Sequence, residues 1–444
     1  GQHNDGRVVN YAKSALNKGV FLVLRTVFHV FLSLLVTSSA WAASISIESC
    51  LARARTDSPL LRLYRADTAI ASAGVQLQDA ALMPRLDAQL GFTTQLEAQA
   101  IKINGTAMET QQPSYLFGNL GISYTLYDFG RRDARRTVSK TNLAAVADSI
   151  SQQEHELTLQ VTDTYLNVLE AMKNLEAAEE ERQTMEEHRR VAEAFYQSGS
   201  VTRNDLLQAE VRLATARQQV LTWRNQIENL YLRLNYLIGA PHDERPQLQE
   251  PPSAPLQPVT NDKRARALRI RPDLNLLRKG LAVSEQELAE ARSNFYPELF
   301  TRLTVDYLEN SKVREQTIYA GTIGIKVNLF DGFGSTATRN RIVATRSKAL
   351  EQIRLAEQQA NLEISTAANN LQVAHQRIEV TALAIRQGQE NLRINQNRYQ
   401  ERVGTATDVL DAQTLLTQAR NEQCRARYDY QRAAIRLRKA LGEL

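Results

Sequence analysis

Apolar residues recur every seventh position in two well-separated stretches of the chain. In the first, Leu206, Leu213, Val220, Ile227 and Leu234 form one line and Ala209, Ala216, Trp223, Leu230 and Leu237 a second. In the other, Val409, Ala412, Leu416, Ala419, Ala426, Tyr430, Ala433, Leu437 and Ala440 keep the same frame, with Gln423 the one polar break. Heptads that mix large and small side chains specify closely packed helices, here over 203–238 and 406–441. The segments before them, 131–197 and 334–398, carry matching stripes: Leu157, Val161, Tyr165, Val168, Met172 and Leu175, then Ile364, Ala368, Leu371, His375 and Ile378. At 1.5 Å per residue each would reach roughly 100 Å, a length for which a soluble globule has no use.

Ahead of each long helix the period changes from 3.5 to 2. Leu86, Ala88, Leu90 and Phe92 alternate with Asp87, Gln89 and Thr93; after a polar loop from Ala98 to Pro113, Leu116, Leu120, Ile122, Tyr124 and Leu126 alternate with Asn119, Ser123 and Thr125. Later, Leu299, Leu303, Val305 and Tyr307 alternate with Arg302, Thr304 and Asp306, and Tyr319, Ile323, Ile325, Val327 and Leu329 with Thr322, Lys326 and Asn328. These runs predict hairpins at about 85–127 and 298–330, with the two-faced pattern of outer-membrane strands. A half-buried soluble sheet alternates in the same way; the placement beside very long helices and the export signal described below decide for a membrane. Four strands cannot close a barrel, and open edges are not tolerated in lipid. Two chains would give an eight-stranded barrel filled by its own side chains, whereas three give twelve strands and a lumen, so geometry favours a trimer.

The two sets are copies of one unit. Leu126-Tyr127-Asp128-Phe129-Gly130 recurs as Leu329-Phe330-Asp331-Gly332-Phe333, an offset of 203 that also carries Tyr196 to Tyr399, Asp205 to Asp408, Ala209 to Ala412 and Gly239 to Gly442. Upstream, Pro59 maps to Pro272 and Pro84 to Pro297 at an offset of 213, so the first copy has a longer hairpin loop. The chain divides into a first repeat at 43–257 and a second at 258–444, each opening with a helical stretch (45–80, 262–294) and joined by a Pro-rich segment from Pro241 to Pro258.

Lys13, Lys18 and Arg25 precede an apolar run from Val27 to Val36, and Ala40-Trp41-Ala42 has the small-x-small form of a cleavage site. Residues 1–42 therefore read as a signal peptide, with Ala43 the first mature residue. They hold +3 of the formal charge of +5 (Arg7, Lys13, Lys18 and Arg25 against Asp5), and the remaining +2 gives no electrostatic case for nucleic-acid binding. Cys50 and Cys424 are the only cysteines, which excludes a disulfide framework, and Ile47-Glu48-Ser49 lacks the small apolar pattern ahead of a lipid-modified cysteine. No metal-binding His/Cys set or activated nucleophile is found, so no cofactor and no catalytic residue is expected. Gly332-Phe333-Gly334 follows a strand and opens a helix, yet without a βαβ unit it reads as a flexible strand-to-helix joint, not a dinucleotide site. His375 sits on an apolar seam as a packed histidine. Phe295, Tyr296, Tyr307 and Tyr319 suit either an aromatic girdle or an ordinary core.

Tyr399, Thr407-Asp408-Val409-Leu410-Asp411-Ala412, the small-residue helix to Ala440-Leu441-Gly442, and the proline-containing strand openings Leu82-Met83-Pro84-Arg85-Leu86 and Tyr296-Pro297-Glu298-Leu299 resemble the TolC family of outer-membrane efflux and type I secretion channels. The resemblance spans 43–444. It implies a mainly α protein with a β-barrel contribution: tandem helical hairpins forming an α-barrel, and four strands per chain completing a twelve-stranded trimeric transmembrane barrel. It also implies a periplasmic entrance ringed by Asp408 and Asp411, with Asp205 matching in the first copy and Gln208 standing where Asp411 would. Tyr399 belongs to the same gate. Arg402 replaces the family's turn glycine, kept as Gly199 in the first copy, and Gly404 stands where a turn arginine helps hold the founding member shut; Arg402 or Arg203 is then the substitute lock. The turns themselves, Gly199, Ser200, Val201, Thr202 and Val403, Gly404, Thr405, are the expected contacts of a periplasmic adaptor, which joins the trimer to an inner-membrane pump of the ABC type.

The residues alone leave a second reading of the turns. Thr202-x-x-Asp205 and Thr405-x-x-Asp408 have capping-box spacing, so each aspartate is also explained as a helix cap. Asp411 lies one turn further in, where capping no longer applies, and three such carboxylates round an axis would attract cations. The competing functions are a pore-less periplasmic coiled coil and a self-sufficient porin. Within the channel reading, the missing anchor cysteine favours secretion of a polypeptide over drug efflux.

Overall fold

Two prolines and two aspartates set where four of the helices begin. The structure, a computed structural model, describes residues 44–252, 255, 258–401 and 403–444. The expected signal peptide at 1–42 and Arg402 lie outside the described residues. In chain order the elements are α1 (Ile47–Asp57), α2 (Pro59–Ala80), β1 (Arg85–Thr94), β2 (Ala100–Ile103), β3 (Thr106–Glu109), β4 (Ser114–Tyr127), α3 (Arg131–Gln197), α4 (Arg203–Ile238), α5 (Asn261–Ile270), α6 (Pro272–Ser293), β5 (Glu298–Leu308), β6 (Thr317–Lys326), α7 (Gly334–Gln400) and α8 (Ala406–Ala440). The stretches expected as single helices at 45–80 and 262–294 are each two. Ser58 (ψ 124°) and Arg271 (ψ 125°) are extended because a following proline disfavours the helical conformation, and Pro59 and Pro272 then start new helices at their first position.

The joint at 332–334 is a turn of defined backbone geometry. Gly332 and Phe333 both hold positive φ (66° and 68°), as Phe129 and Gly130 do in the first copy (54° and 84°). In each copy the aspartate before the pair caps the helix: Asp128 Oδ2 accepts from Arg132 N at 3.0 Å, and Asp331 Oδ2 from Ser335 N at 2.7 Å.

α3 and α7 each run 67 residues, about 100 Å at the α-helical rise. α3 pairs with α4 and α7 with α8, and the two pairs meet along α3 and α8. The heptad lines are the buried ones: Ala209, Leu213, Ala216, Val220, Leu234 and Leu237 on α4, and Ala412, Leu416, Ala426, Tyr430, Ala433, Leu437 and Ala440 on α8. Met172 departs from its expected stripe at 38 % exposure, while Ala171, Asn174 and Ala178 are buried. α3 packs against both α4 and α8, so its covered face is broader than one seam and is filled by small residues where two neighbours approach. His375 is half-buried with its ring 5.5 Å from that of Tyr430. Around mid-height, α1 and the Pro-rich joint wrap the helices. Ile45 bridges Leu248, the Tyr165 hydroxyl donates to Gln249 O at 2.6 Å, and Cys50, Leu61, Leu157, Leu234 and Ile238 close the core beneath.

Both cysteines are free thiols packed on this cluster, Cys50 within it and Cys424 at its edge, and burial pushes each pKa up to about 11. Neither is expected to react with an aromatic disulfide reagent at pH 8 before unfolding, since the thiolate is the reactive form. Two thiols titrated in urea but none in buffer is the predicted count; rapid reaction in buffer contradicts the packing.

The strands form one antiparallel sheet in the order β1-β4-β5-β6. β4 pairs β5 across the two repeats, with Leu120 opposite Val305 and Ile122 opposite Leu303. Register puts Leu86, Leu90, Phe92, Leu116, Leu120, Ile122, Leu303, Val305, Tyr319 and Ile323 on one face, and Asp87, Gln89, Asn119, Ser123, Arg302, Thr304, Asp306 and Thr322 on the other. β6 stops at Lys326, short of the expected 330: Lys326 pairs with Glu298, and the next residue along the partner, Pro297, has no N–H to give. The loop at 98–113 is not wholly irregular, because β2 and β3 form a small hairpin turning at Asn104–Gly105 (φ 50° and 86°). Phe295, Tyr296, Tyr307 and Tyr319 are 49, 55, 38 and 78 % exposed, so none is core. With Tyr127, Phe129 and Phe330 they fall at the two ends of the strands, where girdles of an outer-membrane barrel sit. Among the described residues no helix is long and apolar enough to cross a membrane.

Candidate functional site

The far ends of the helical hairpins carry the residues singled out by sequence, and their local chemistry explains the turns first. α3 ends in a turn in which Ser200 N donates to Phe195 O at 2.8 Å and Gly199 takes φ 73°, a conformation that costs a side chain strain. In the second copy Val403 N and Gly404 N both donate to Arg398 O at 2.9 Å. A Cβ on Gly404 would lie 3.1 Å from Arg398 Cβ and 3.3 Å from its carbonyl carbon. A side chain at 404 would be tight, because the chain returns closely over α7 and Arg398 would have to give by a few tenths of an ångström. Gly199, Ser200, Thr202, Val403 and Thr405 are exposed at the tips, and Val201 and Gly404 partly so.

Asp205 and Asp408 are both caps. Asp205 Oδ2 accepts from Thr202 N at 2.9 Å while its own N–H points to Thr202 Oγ1, and Asp408 repeats this with Thr405 at 2.9 and 3.2 Å. The backbone N–H of Thr405, followed by its hydroxyl, holds the Asp408 carboxyl below the usual range. Asp411 is exposed one turn inside α8, as is Gln208 at the matching place on α4, and Asp411 takes no hydrogen bond or ion pair among the described residues.

Tyr399 joins the two tips. Its ring lies 6.1 Å from Phe195 and 6.4 Å from His188, both on α3. Burial, then the charge of Asp205, pushes its hydroxyl pKa up, and burial pulls His188 down. Together with Met185, Val191 and Leu410 these rings line a cleft of about 620 Å³ between α3, α7 and α8. His188, Phe195, Met185 and Leu410 were not singled out from sequence. His188 and Phe195 are one heptad apart, so their sharing of a face was available as a signal; that the face meets the other repeat was not. The turns of one chain thus stand side by side, with Asp411 left facing solvent.

A family model described as outer membrane efflux protein matches residues 50–240 and 264–443. The chain belongs to the outer membrane efflux protein family. Among curated relatives, it is 24 % identical over 401 residues to the pyoverdine export outer membrane protein OpmQ of Pseudomonas aeruginosa, covering 89 % of this chain and 85 % of OpmQ. It is 26 % identical over 309 residues to the alkaline protease secretion protein AprF of the same organism, covering 66 % and 62 %. It is 22 % identical over 417 residues to the outer membrane protein TolC of Escherichia coli, covering 88 % and 81 %. Among solved structures, the outer membrane protein VceC of Vibrio cholerae superposes with a TM-score of 0.77 at 20 % identity over 89 % of this chain and 96 % of VceC. CusC gives 0.79 at 19 % over 90 % and 92 %. The efflux family and its TolC-like fold place the protein in the outer membrane of a Gram-negative bacterium, as a channel.

Proposed function

We propose that three copies of the chain form the outer-membrane exit duct of a tripartite machine that secretes a polypeptide. One observation carries the assembly. Within the chain, the second repeat covers the first: Leu410 on α8 is 5 % exposed against α3, whereas its first-repeat equivalent, Leu207 on α4, is 47 % exposed. A neighbouring copy that repeats the same step sets α4 against its α7, buries Leu207, and pairs the free edges of β6 and β1. Three such steps give twelve strands with the apolar face outward and the Asp87, Gln89, Arg302 and Asp306 face lining a lumen. The repeats 43–257 and 258–444 then alternate round the ring.

The exposed turns, 199–202 and 403–405, are the contacts for a periplasmic adaptor, and an ABC-type inner-membrane pump supplies the energy. The likeness to AprF supports a polypeptide cargo. The likeness to OpmQ covers more of both chains and supports a small molecule as the second reading. Deleting the gene separates them: disappearance of one protein from the medium is expected, and loss of a small molecule with an unchanged protein profile overturns the secretion reading.

At the entrance, Asp408 and Asp411 are given different roles. Asp408→Ala removes a cap and is expected to cost about 1 kcal/mol of stability while leaving conduction unchanged. Asp411→Ala removes three carboxylates from around the axis and is expected to weaken divalent-cation block of single-channel current at least several-fold. Equal block by the two variants and the parent channel argues against the carboxylate ring.

A further inference from the structure

The two repeats pair their strands in the same register, and this tells how one copy would meet the next. Arg85 on β1 faces Ser123 on β4, and their repeat equivalents, Glu298 and Lys326, face each other across β5 and β6. The step from β4 to β5, with Leu120 opposite Val305, then has its counterpart from β6 to β1 of the next copy. The offsets of 203 and 213 place Lys326 opposite Gln89, Ile323 opposite Phe92, and Tyr319 opposite Leu96. That register sets apolar against apolar. Phe92 and Ile323 are 67 and 75 % exposed in the single chain, Tyr319 is 78 % exposed, and Leu96 is fully so.

Beyond the strand ends farthest from the long helices, the first loop carries the β2–β3 hairpin, which the second loop lacks. Alternation puts Lys102, Ala107 and Glu109 on one face of this hairpin, and Ile101, Ile103 and Met108 on the other. The polar face is taken by the chain's own second loop. Lys312 pairs with Glu109, Asn310 Nδ2 donates to Thr110 O at 2.8 Å, and Gln112 Nε2 donates to Ser311 Oγ at 2.8 Å. The apolar face is uncovered, with Ile101, Ile103 and Met108 at 56, 54 and 63 % exposure. Because β1 is the edge that meets β6, the next copy brings its second loop to this other side. There Val313 is 40 % exposed, and Arg314 is almost wholly exposed and pairs only with adjacent Glu315 at 3.5 Å among the described residues. Glu97, in the arm leaving β1, is exposed and has no hydrogen bond or ion pair among the described residues.

Resting on the trimeric-duct reading, we propose that the β2–β3 hairpin is a clasp between copies on the outer side of the membrane. Its face of Ile101, Ile103 and Met108 seats on Val313 and Tyr319 of the next copy, and Glu97 pairs with that copy's Arg314. Each chain clasps one neighbour and is clasped by the other, so the contacts close into a ring. A hairpin in one repeat alone fits this arrangement. The seam within a chain is already held by the Asn310, Lys312 and Gln112 contacts, and only the seams between chains need a clasp. The apolar surface removed from water there adds to what the strand edges supply.

The test is cysteine cross-linking of the purified full chain in lipid vesicles, read on non-reducing gels. Cys50 and Cys424 stay in place, and an alkylating agent present during denaturation blocks them. Met108→Cys/Val313→Cys is expected to link chains into dimers and trimers. Leu96→Cys/Tyr319→Cys reports the strand register beneath and is expected to do the same. Ile101→Ser/Met108→Ser is expected to make the trimer dissociate in warm detergent at least several-fold faster than the parent. Links at 96–319 without links at 108–313, together with unchanged dissociation of the serine variant, overturn the clasp and leave the duct standing; the hairpin face is then covered by lipid or open to water. A strong dimer band from Ile103→Cys alone also overturns it, because the hairpins then meet one another over the axis. A parent protein that is monomeric by light scattering overturns the duct itself.

Discussion

Leu207→Glu is expected to leave a folded chain that no longer assembles. Leu207 is nearly half exposed in the single chain, and the equivalence with buried Leu410 sets it inside the seam between copies. Burying a leucine is worth about 1.5–3 kcal/mol, the loss occurs at three seams at once, and an unpaired carboxylate there adds a desolvation penalty. Far-ultraviolet circular dichroism should match the parent, since the α3–α4 seam through Leu213, Ala216 and Val220 is untouched. Light scattering in detergent should report one chain in place of three. Leu207→Met, which keeps the apolar volume, should stay trimeric. A trimeric glutamate variant would mean that α4 faces solvent or lumen along this line.

The second large effect separates neighbouring residues of one strand. Leu90 and Gln89 adjoin on β1 and point to opposite faces of the sheet. On the lipid side, arginine near the bilayer midplane costs about 2–4 kcal/mol per chain, so Leu90→Arg should strongly lower the urea midpoint for unfolding from lipid vesicles. Gln89→Arg adds the same charge to the water-filled face beside Asp87 and should shift the midpoint far less. Equal shifts would show that the sheet does not lie with one face in lipid.

How much of this was readable beforehand depends on how local each signal is. The heptads of α4 and α8 and the alternation of the strands are written in consecutive residues, and the buried lines fall on Leu213, Val220 and Leu234 as that spacing requires. The helix breaks at Pro59 and Pro272 and the hairpin at Asn104–Gly105 also had local signals, a proline at the first helical position and an Asn-Gly turn. Both are short elements inside longer periodic stretches, whose helical and strand patterns mask them. Met172 and the His188, Phe195 and Tyr399 cluster are another matter. Which face of α3 is covered depends on α8, more than two hundred residues away, and no local period encodes that neighbour. The capping role of Asp205 and Asp408 was legible as spacing, but only the hydrogen bonds to Thr202 and Thr405 choose it for both. Gly404 was legible as a departure from a pattern, and the tight approach of Arg398 beneath it appears only in the structure.

Imaging the full chain in lipid nanodiscs by single-particle electron microscopy tests the central claim most directly. Threefold particles are expected, with a twelve-stranded barrel inside the disc and a helical tube of about 100 Å projecting from one side. A single chain per disc, a twofold outline, or hairpins lying outside the lipid would contradict it.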